Sequence, residues 1–347
     1  MSYERGLKGL RLEMPERIPH TEYCSNAALV RHLTGLDITK SPEEGHRAWQ
    51  KFYEITDYDF FWNRNDGPEW QGRVTSMGHA EFLEGGSDFS KKIFCPFSTE
   101  EEVLSFDPVR EYGLPDVKER AKLFQESIDF NRREFPMGVW PGGYYKTLFS
   151  ACIHSFGWEM FLVSAPLDEE RFDRVLEGFY QISLANFRSW AETDIEYFVC
   201  HDDIVWTRGA VFHPNWYRRH IFPRYKKLWH VLKERGIKVL FCCDGDFTEF
   251  IDDIAQAGAQ GFLFEPVTSL EKIAARYGKT HVIIGNVDCR ALTFGTREDI
   301  YREVKRCSDI GRNLPGYFFA VGNCIPSNVP VESALYYFDL IRELGKR

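Results

Sequence analysis

Residues 237–246 read Ile-Lys-Val-Leu-Phe-Cys-Cys-Asp-Gly-Asp, so an apolar run ends in two thiols and two carboxylates. An apolar run of this kind after an amphipathic helix is typical of a buried parallel strand, and α/β proteins bind ligands beyond the carboxyl ends of such strands. Cys242 and Asp244 share one face of an extended chain, whereas Cys243 points to the other. On a face that lines a pocket, Cys242 and Asp244 would form half of a metal site or an acid and nucleophile pair. On any other face they would be a core residue and a helix cap.

Other apolar segments of the C-terminal half end in polar residues in the same way. Strands are predicted over 195–200, 261–264, 281–284 and 317–321, and the residues that follow them can bind metals or titrate. Taken alone, each of these residues is as well explained by capping the next helix. In a parallel barrel, however, the carboxyl ends of all strands face one mouth, where these side chains would converge. With the two from 237–246, the converging set is His201, Asp202, Asp203, Cys242, Asp244, Glu265, Asn286 and Cys324.

Alternating strand and helix patterns predict the elements that position these residues. Helices are expected over 214–235, 247–257, 268–277, 297–311 and from about 331, which gives at least five β/α units in the C-terminal part. The preceding residues leave room for three more units. The prediction is therefore an α/β protein, a single (β/α)8 TIM barrel over residues 1–347 with an N-terminal helical extension. Within the N-terminal part, residues 17–22 read as a short strand with His20 and Glu22 on one face.

Residues 62–96 are rich in glycine and aromatic residues and do not fit a regular β/α repeat. They predict an insertion near the barrel mouth, since functional loops of barrels lie there. The alternatives are an insertion that covers the barrel floor or one that mediates contacts in a homodimer. The predicted substrate contacts, from this insertion and from the strand ends, are Glu22, Trp62, Trp70, Phe82 and Asn286.

The composition excludes several classes of protein. A net charge of −9 argues against nucleic acid or anionic membrane surfaces as partners, because both require a basic face. Nine cysteines without a repeating spacing, in a chain whose start lacks a signal-peptide pattern, indicate a reduced, cytoplasmic protein. No apolar stretch approaches eighteen residues, so no membrane span is expected.

Four segments resemble the uroporphyrinogen decarboxylase superfamily, and more closely its cobalamin-dependent methyltransferase branch. The similarity is good over residues 190–347 and implies a (β/α)8 barrel. The segments are Arg218 to Gly245, Gly285-Asn-Val-Asp288, Phe294 to Ile300, and Asn323-Cys-Ile-Pro326 with Pro330.

The resemblance also implies a zinc site. Members of the methyltransferase branch bind zinc through a His-X-Cys-Gly motif after the fifth strand and a Cys near the C-terminus. At the motif's His and Cys positions this chain has Cys242 and Asp244, and at the late position it has Cys324. Thiolate and carboxylate are both accepted by zinc. Glu265 or His201 could instead supply the third ligand.

The function that the resemblance implies is zinc-dependent methyl transfer between a small methylated substrate, such as an aromatic methyl ether, and a corrinoid protein or a thiol acceptor. The corrinoid would be carried by a partner protein, and His201, Asp202 or Asp203 would supply the proton for a leaving oxygen. One alternative is a metal-independent decarboxylase of the uroporphyrinogen type. That branch binds the propionate side chains of its substrate through an arginine-rich N-terminal stretch. At the corresponding place this chain reads Arg17-Ile-Pro-His-Thr-Glu-Tyr-Cys24, which contains no arginine cluster. A non-catalytic ligand-binding barrel is the other alternative.

Overall fold

The computed structural model describes residues 2–76 and 94–347 of the chain. In the described part, helices and strands alternate after an N-terminal group of helices. The helices are α1 (Ser2–Leu10), α2 (Ala27–Thr34), α3 (Pro42–Thr56), α4 (Glu100–Leu104), α5 (Pro108–Tyr112), α6 (Val117–Glu134), α7 (Phe149–Leu167), α8 (Glu169–Ala191), α9 (Pro214–His220), α10 (Phe222–Lys233), α11 (Ile251–Ala257), α12 (Leu270–Tyr277), α13 (Cys289–Phe294), α14 (Arg297–Gly311) and α15 (Val331–Leu344). The strands are β1 (Gly142–Tyr144), β2 (Tyr197–His201), β3 (Val205–Trp206), β4 (Gly209–Ala210), β5 (Lys238–Cys243), β6 (Gly261–Phe264), β7 (Val282–Ile284) and β8 (Tyr317–Phe318).

Six of the strands form one parallel sheet in the order β1-β2-β5-β6-β7-β8, and two short extended segments join its ends. His20 forms a parallel bridge with Phe319, just after β8, and Phe60 forms one with Val139, just before β1. The backbone N–H of Asp59 donates to the carbonyl of His20 at 3.0 Å, which links the two extra segments. These contacts complete a ring of eight extended segments, so the predicted (β/α)8 barrel is confirmed.

Alternation along the strands separates an inner core from an outer one. On β5, Leu240 and Cys242 belong to a cluster inside the barrel, whereas Val239, Phe241 and Cys243 belong to the larger cluster between the sheet and the helices. The inner cluster also contains residues of α1, the predicted N-terminal helical extension. Cys242 and Cys243 therefore face opposite sides of the sheet, as the two-residue period predicts.

Glycine and proline set the limits of several helices. Helix α2 ends at Gly35, whose φ of 74° is readily adopted only by glycine, and α3 begins at Pro42. The pattern over 214–235 is interrupted at Ile221. Pro223 follows there in the first turn of α10, where its missing N–H costs no hydrogen bond.

The predicted insertion over 62–96 is described only in part. Residues 62–76 lie against the carboxyl end of β1, because the Asp66 carboxylate accepts the backbone N–H groups of Tyr145 at 2.6 Å and Lys146 at 3.3 Å. Phe82, predicted as a substrate contact, lies outside the described residues. Across residues 2–76 and 94–347, no helix has the length and apolar character needed to cross a membrane.

Candidate metal centre at the barrel mouth

Two neighbouring strands bring the predicted chemical groups together. In the pairing of β2 with β5, His201 is opposite Cys242, so the two side chains lie next to each other on the inner face. Asp203 is the second residue after β2, and Asp244 is the first residue after β5. Gly245, with a φ of 85°, lets the chain turn immediately after Asp244, since a Cβ at this position would lie 2.7 Å from the carbonyl oxygen of Trp206.

His201, Asp203 and Asp244 form a group with the geometry of a metal site. One ligand atom from each lies within 4.8 Å of the other two, and no other set of three or more His, Cys, Asp or Glu in the described chain does so. The Nε2 atom of His201 lies 3.1 Å from Oδ1 of Asp203, and the backbone N–H of Asp244 donates to the same oxygen at 2.9 Å. One imidazole and two carboxylates suit zinc and other divalent transition metals.

Charges inside this group stabilise one another. Burial favours the neutral imidazole of His201 and so lowers its pKa. Electrostatic interactions and hydrogen bonds with Cys242 and Asp203 outweigh this effect and raise the pKa of His201 well above its usual value. Burial likewise opposes ionisation of Asp203, but the charge of His201 and the hydrogen bonds from His201 and Tyr145 lower the pKa of Asp203 to about 2. Both shifts favour an ion pair between a His201 imidazolium and an Asp203 carboxylate. A cation held by this group would replace the imidazolium proton.

Tyr145 supports this group and was not predicted from the sequence. Its hydroxyl donates to Oδ2 of Asp203 at 2.6 Å, and its ring meets the His201 ring edge-on with centroids 4.4 Å apart. Gly142 begins β1, and this strand delivers Tyr145 to the mouth. The available signal was the run of two tyrosines after Gly143, which fits a strand end as well as a helix start.

Glu265 lies beside the group rather than in it. The side-chain amide of Asn323 donates to Oδ2 of Asp244 at 3.1 Å and to Oε1 of Glu265 at 3.2 Å, and the N–H of Gly245 donates to Oε2 of Glu265 at 2.8 Å. Asn323 thereby holds the two carboxylates at a fixed distance from each other. A ligand role for Glu265 stays a prediction, and its observed contacts position Asp244.

Asp202, predicted as one of three catalytic candidates, points out of the barrel. Its fully buried carboxylate accepts the backbone N–H groups of Leu148 and Phe149 at 3.1 Å each and of Ser150 at 2.6 Å, at the start of α7. The hydroxyl of Tyr225 donates to it as well, at 2.6 Å. Its carboxylate oxygens are engaged by a helix start and a tyrosine. Asp202 thus has a capping role, but it caps α7, which precedes it in the chain, rather than the next helix, which His213 caps.

Replacing Asp202 with Asn is expected to destabilise the protein and to leave metal binding at His201 in place. The amide group of Asn would face donors that now meet a carboxylate oxygen, and buried unmatched donors cost about 1–3 kcal/mol each. We expect the free energy of unfolding to fall by about 2–4 kcal/mol in urea denaturation. Zinc content per folded chain should match that of the parent. A variant that unfolds like the parent but has lost zinc would instead make Asp202 part of the metal centre.

Other predicted residues lie outside the group. Cys324 is buried, which raises the pKa of its thiol to about 12; its neighbours are Cys289, Ser25 and Asp244, but it is not part of the group of three. Asn286 is fully buried; its amide donates to the carbonyl of Thr268 at 2.9 Å and its oxygen accepts from Arg306 at 3.0 Å. A ligand role for Cys324 and a substrate contact for Asn286 therefore stay predictions.

Two other predicted substrate contacts, Trp70 and Glu22, are engaged by neighbouring protein groups, and a substrate role for either stays a prediction. The Trp70 ring stacks on Tyr112 with centroids 4.4 Å apart, and the Lys146 ammonium lies 5.2 Å from the ring centroid. Glu22 is buried between the sheet and α15, where it accepts from Tyr337 and from the N–H of Val321 at 2.9 Å. Trp62 is different, since it packs against the inner cluster of the barrel.

Both the sequence and the fold of this chain are similar to those of known proteins. A family model described as Uroporphyrinogen decarboxylase (URO-D) matches residues 87–344. A uroporphyrinogen decarboxylase of Syntrophotalea carbinolica is 27% identical over 67% of this chain and 66% of its own length, and one of Citrifermentans bemidjiense is 30% identical over 41% of each. Matches to these relatives thus span less than two thirds of their length. Among solved structures, a methyltransferase from Methanosarcina mazei has a TM-score of 0.67 at 16% identity and covers 99% of this chain and 98% of its own.

Proposed function

Because the chain belongs to the uroporphyrinogen decarboxylase family, we propose that it is a methyltransferase of that superfamily, which moves a methyl group between a small methylated substrate and a corrinoid protein or a thiol acceptor. The proposal rests on one observation above all: His201, Asp203 and Asp244 bring three metal ligand atoms together at the barrel mouth. The similarity of the whole fold to a methyltransferase supports it.

The donor set fits a zinc ion. His201, Asp203 and Asp244 would hold it, in place of the thiolate-rich set that the resemblance implied. A zinc ion held by these three residues would supply Lewis acidity, either to the heteroatom that carries the methyl group or to an acceptor thiol. The side chains of Asp203 and Asp244 are oriented before any ligand binds, by Tyr145 and Asn323 respectively.

Proton transfer falls to groups around the centre rather than to Asp202. Asp202 is bound to the start of α7 and cannot reach the inner face without releasing four hydrogen bonds. The Tyr145 hydroxyl, 2.6 Å from Asp203, and the Glu265 carboxyl, joined to Asp244 through Asn323, border the space inside the mouth. These two groups would supply the proton that a departing alkoxide or phenoxide requires.

The rim of the mouth fits a protein partner that carries a corrinoid. A corrinoid is too large to enter the barrel, so its carrier would have to press it against the face at the carboxyl ends of the strands. Large apolar side chains are exposed there, after three of the barrel segments: Tyr23 is 54% exposed, Trp206 54% and Phe294 59%. Exposed aromatic side chains are enriched where proteins associate.

The test is methyl transfer by the zinc-loaded protein. We expect methylated corrinoid, free or on a carrier protein, to lose its methyl group to a thiol in the presence of the protein, or a methoxylated aromatic compound to methylate cob(I)alamin, followed by the cobalamin absorbance. Asp244→Asn should lower the rate by at least about 100-fold because it removes a metal ligand. Transfer at the same rate by parent and Asp244→Asn would contradict the proposed centre.

Decarboxylation is the second candidate, because the relatives of this chain are described as uroporphyrinogen decarboxylases. It predicts release of CO2 from a carboxylated substrate at a rate that does not change when zinc is removed. Methyl transfer that stops when zinc is removed and resumes when it is restored would exclude this candidate as the main activity.

A further inference from the structure

The segment that leads from Phe60 into the insertion runs along the inner cluster of the barrel towards Tyr145. Phe60, Trp62 and Arg64 are two residues apart and so point to the same side of an extended chain. Phe60 belongs to the inner cluster, and Trp62 packs against that cluster. Arg64 lies higher, with its guanidinium carbon 5.6 Å from the centroid of the Tyr145 ring. Along this segment the side chains therefore change from the apolar ring of Phe60 to the indole of Trp62 and then to the guanidinium of Arg64.

Trp62 presents a hydrogen-bond donor without a partner. Its indole Nε1 is buried, and within residues 2–76 and 94–347 no acceptor lies in hydrogen-bond range of it. Buried polar groups are nearly always paired, and leaving one unpaired costs about 1–3 kcal/mol. An acceptor atom on a bound molecule would remove this cost.

Arg64, two residues after Trp62 in the chain, has donors available above the Tyr145 ring. Its side chain is 41% exposed, and its ion pair with Asp66 spans 3.6 Å, which is longer than a hydrogen bond. The Asp66 carboxylate already receives two backbone N–H groups, from Tyr145 and Lys146. A guanidinium carries five donors in a plane and binds carboxylates through two of them at once.

The cation is separated from the metal centre by a single ring. Tyr145 lies under Arg64 on one side and meets the His201 ring at 4.4 Å on the other. We propose that Arg64 and Trp62 bind the oxyanion of a small substrate, most simply a carboxylate, whose methyl-bearing end is directed to His201, Asp203 and Asp244. This inference rests on the proposed function for the direction of the substrate, and on the two side chains for its charge.

The test is binding of two probes of the same size and shape, the anionic 4-methoxybenzoate and the neutral 4-methoxybenzamide, to the full-length protein by calorimetry. We expect the benzoate to bind more tightly, and Arg64→Gln to weaken its binding by about 10- to 100-fold while leaving the benzamide unchanged, since a charge-assisted pair is lost. Trp62→Phe keeps an aromatic ring but removes the N–H, and should weaken the benzoate by about 5- to 10-fold. Arg31→Gln, on the exposed surface of α2, is the matched charge control.

Equal binding of benzoate and benzamide by the parent, or equal binding of benzoate by the parent and Arg64→Gln, would overturn the inference. Loss of benzoate binding in Arg31→Gln as well as in Arg64→Gln would also overturn it, since overall charge would then be the cause. Benzoate binding that depends on Arg64, in a protein that transfers no methyl group, would support the oxyanion site and overturn the proposed function.

Discussion

Replacing Asp203 or Asp244 with Asn, or His201 with Ala, is expected to empty the metal centre. Each change removes one of three ligand atoms that lie within 4.8 Å of one another. Loss of an outer partner of a metal ligand lowers metal affinity by about 10- to 100-fold, so loss of a ligand itself should exceed 100-fold. We expect dialysed variants to hold less than about a tenth of the zinc of the parent, measured by plasma emission spectrometry, and to lose methyl transfer to the same extent.

Cysteine variants decide between this ligand set and the one that the resemblance implies. Cys324 neighbours Asp244 but lies outside the group of His201, Asp203 and Asp244. Cys243 faces the outer core, so Cys324→Ala and Cys243→Ala should both retain zinc. Cys242 is next to His201 in the strand pairing, and Cys242→Ala tests whether its thiol assists. If Cys242→Ala and Cys324→Ala lost the metal while Asp203→Asn kept it, the ion would be bound by Cys242, Asp244 and Cys324 instead.

The sequence was sufficient to predict the architecture of the C-terminal half and the place of the site. Strands β2, β5, β6 and β7 and helix α14 lie within a residue or two of the predicted ranges, because their apolar runs are short and bounded by clear turns. The segment around Phe60 was harder, since only a single bridge and a few backbone hydrogen bonds hold it in the barrel. No long periodic pattern marks so short a strand.

Side-chain roles at the strand ends could not be assigned from spacing. Asp202 and Asp203 are adjacent in sequence, yet one caps α7 and the other faces His201, because consecutive residues point to opposite sides of a strand. Which of the two faces inward depends on the register of β2 against β5, a property of the pairing rather than of either segment. The position of Tyr145 at the mouth depends in the same way on where β1 begins and ends.

Glu22 is expected to make the stability of the protein depend on pH in an unusual direction. The carboxyl group is fully buried between the sheet and α15, and burial raises its pKa to about 8, although hydrogen bonds from Tyr337 and from the Val321 N–H favour ionisation. In the unfolded chain the same group titrates near its usual value of 4.5. Between these two pKa values the folded protein holds a proton that the unfolded chain has lost. The stability that this proton contributes is fully present below pH 4.5 and is lost as the pH rises towards 8.

Glu22→Gln removes this titration while it keeps the size of the side chain and an oxygen that can accept from Val321. We expect the variant and the parent to have similar free energies of unfolding near pH 4.5, and the variant to become more stable by about 1.4 kcal/mol for each pH unit above that, reaching about 3 kcal/mol at pH 7. Urea denaturation of both proteins at several pH values measures the difference, in which the titrations common to both cancel. A difference that stayed constant from pH 5 to pH 8 would mean that Glu22 is ionised in the folded protein, and would reopen its predicted role as a polar contact for substrate.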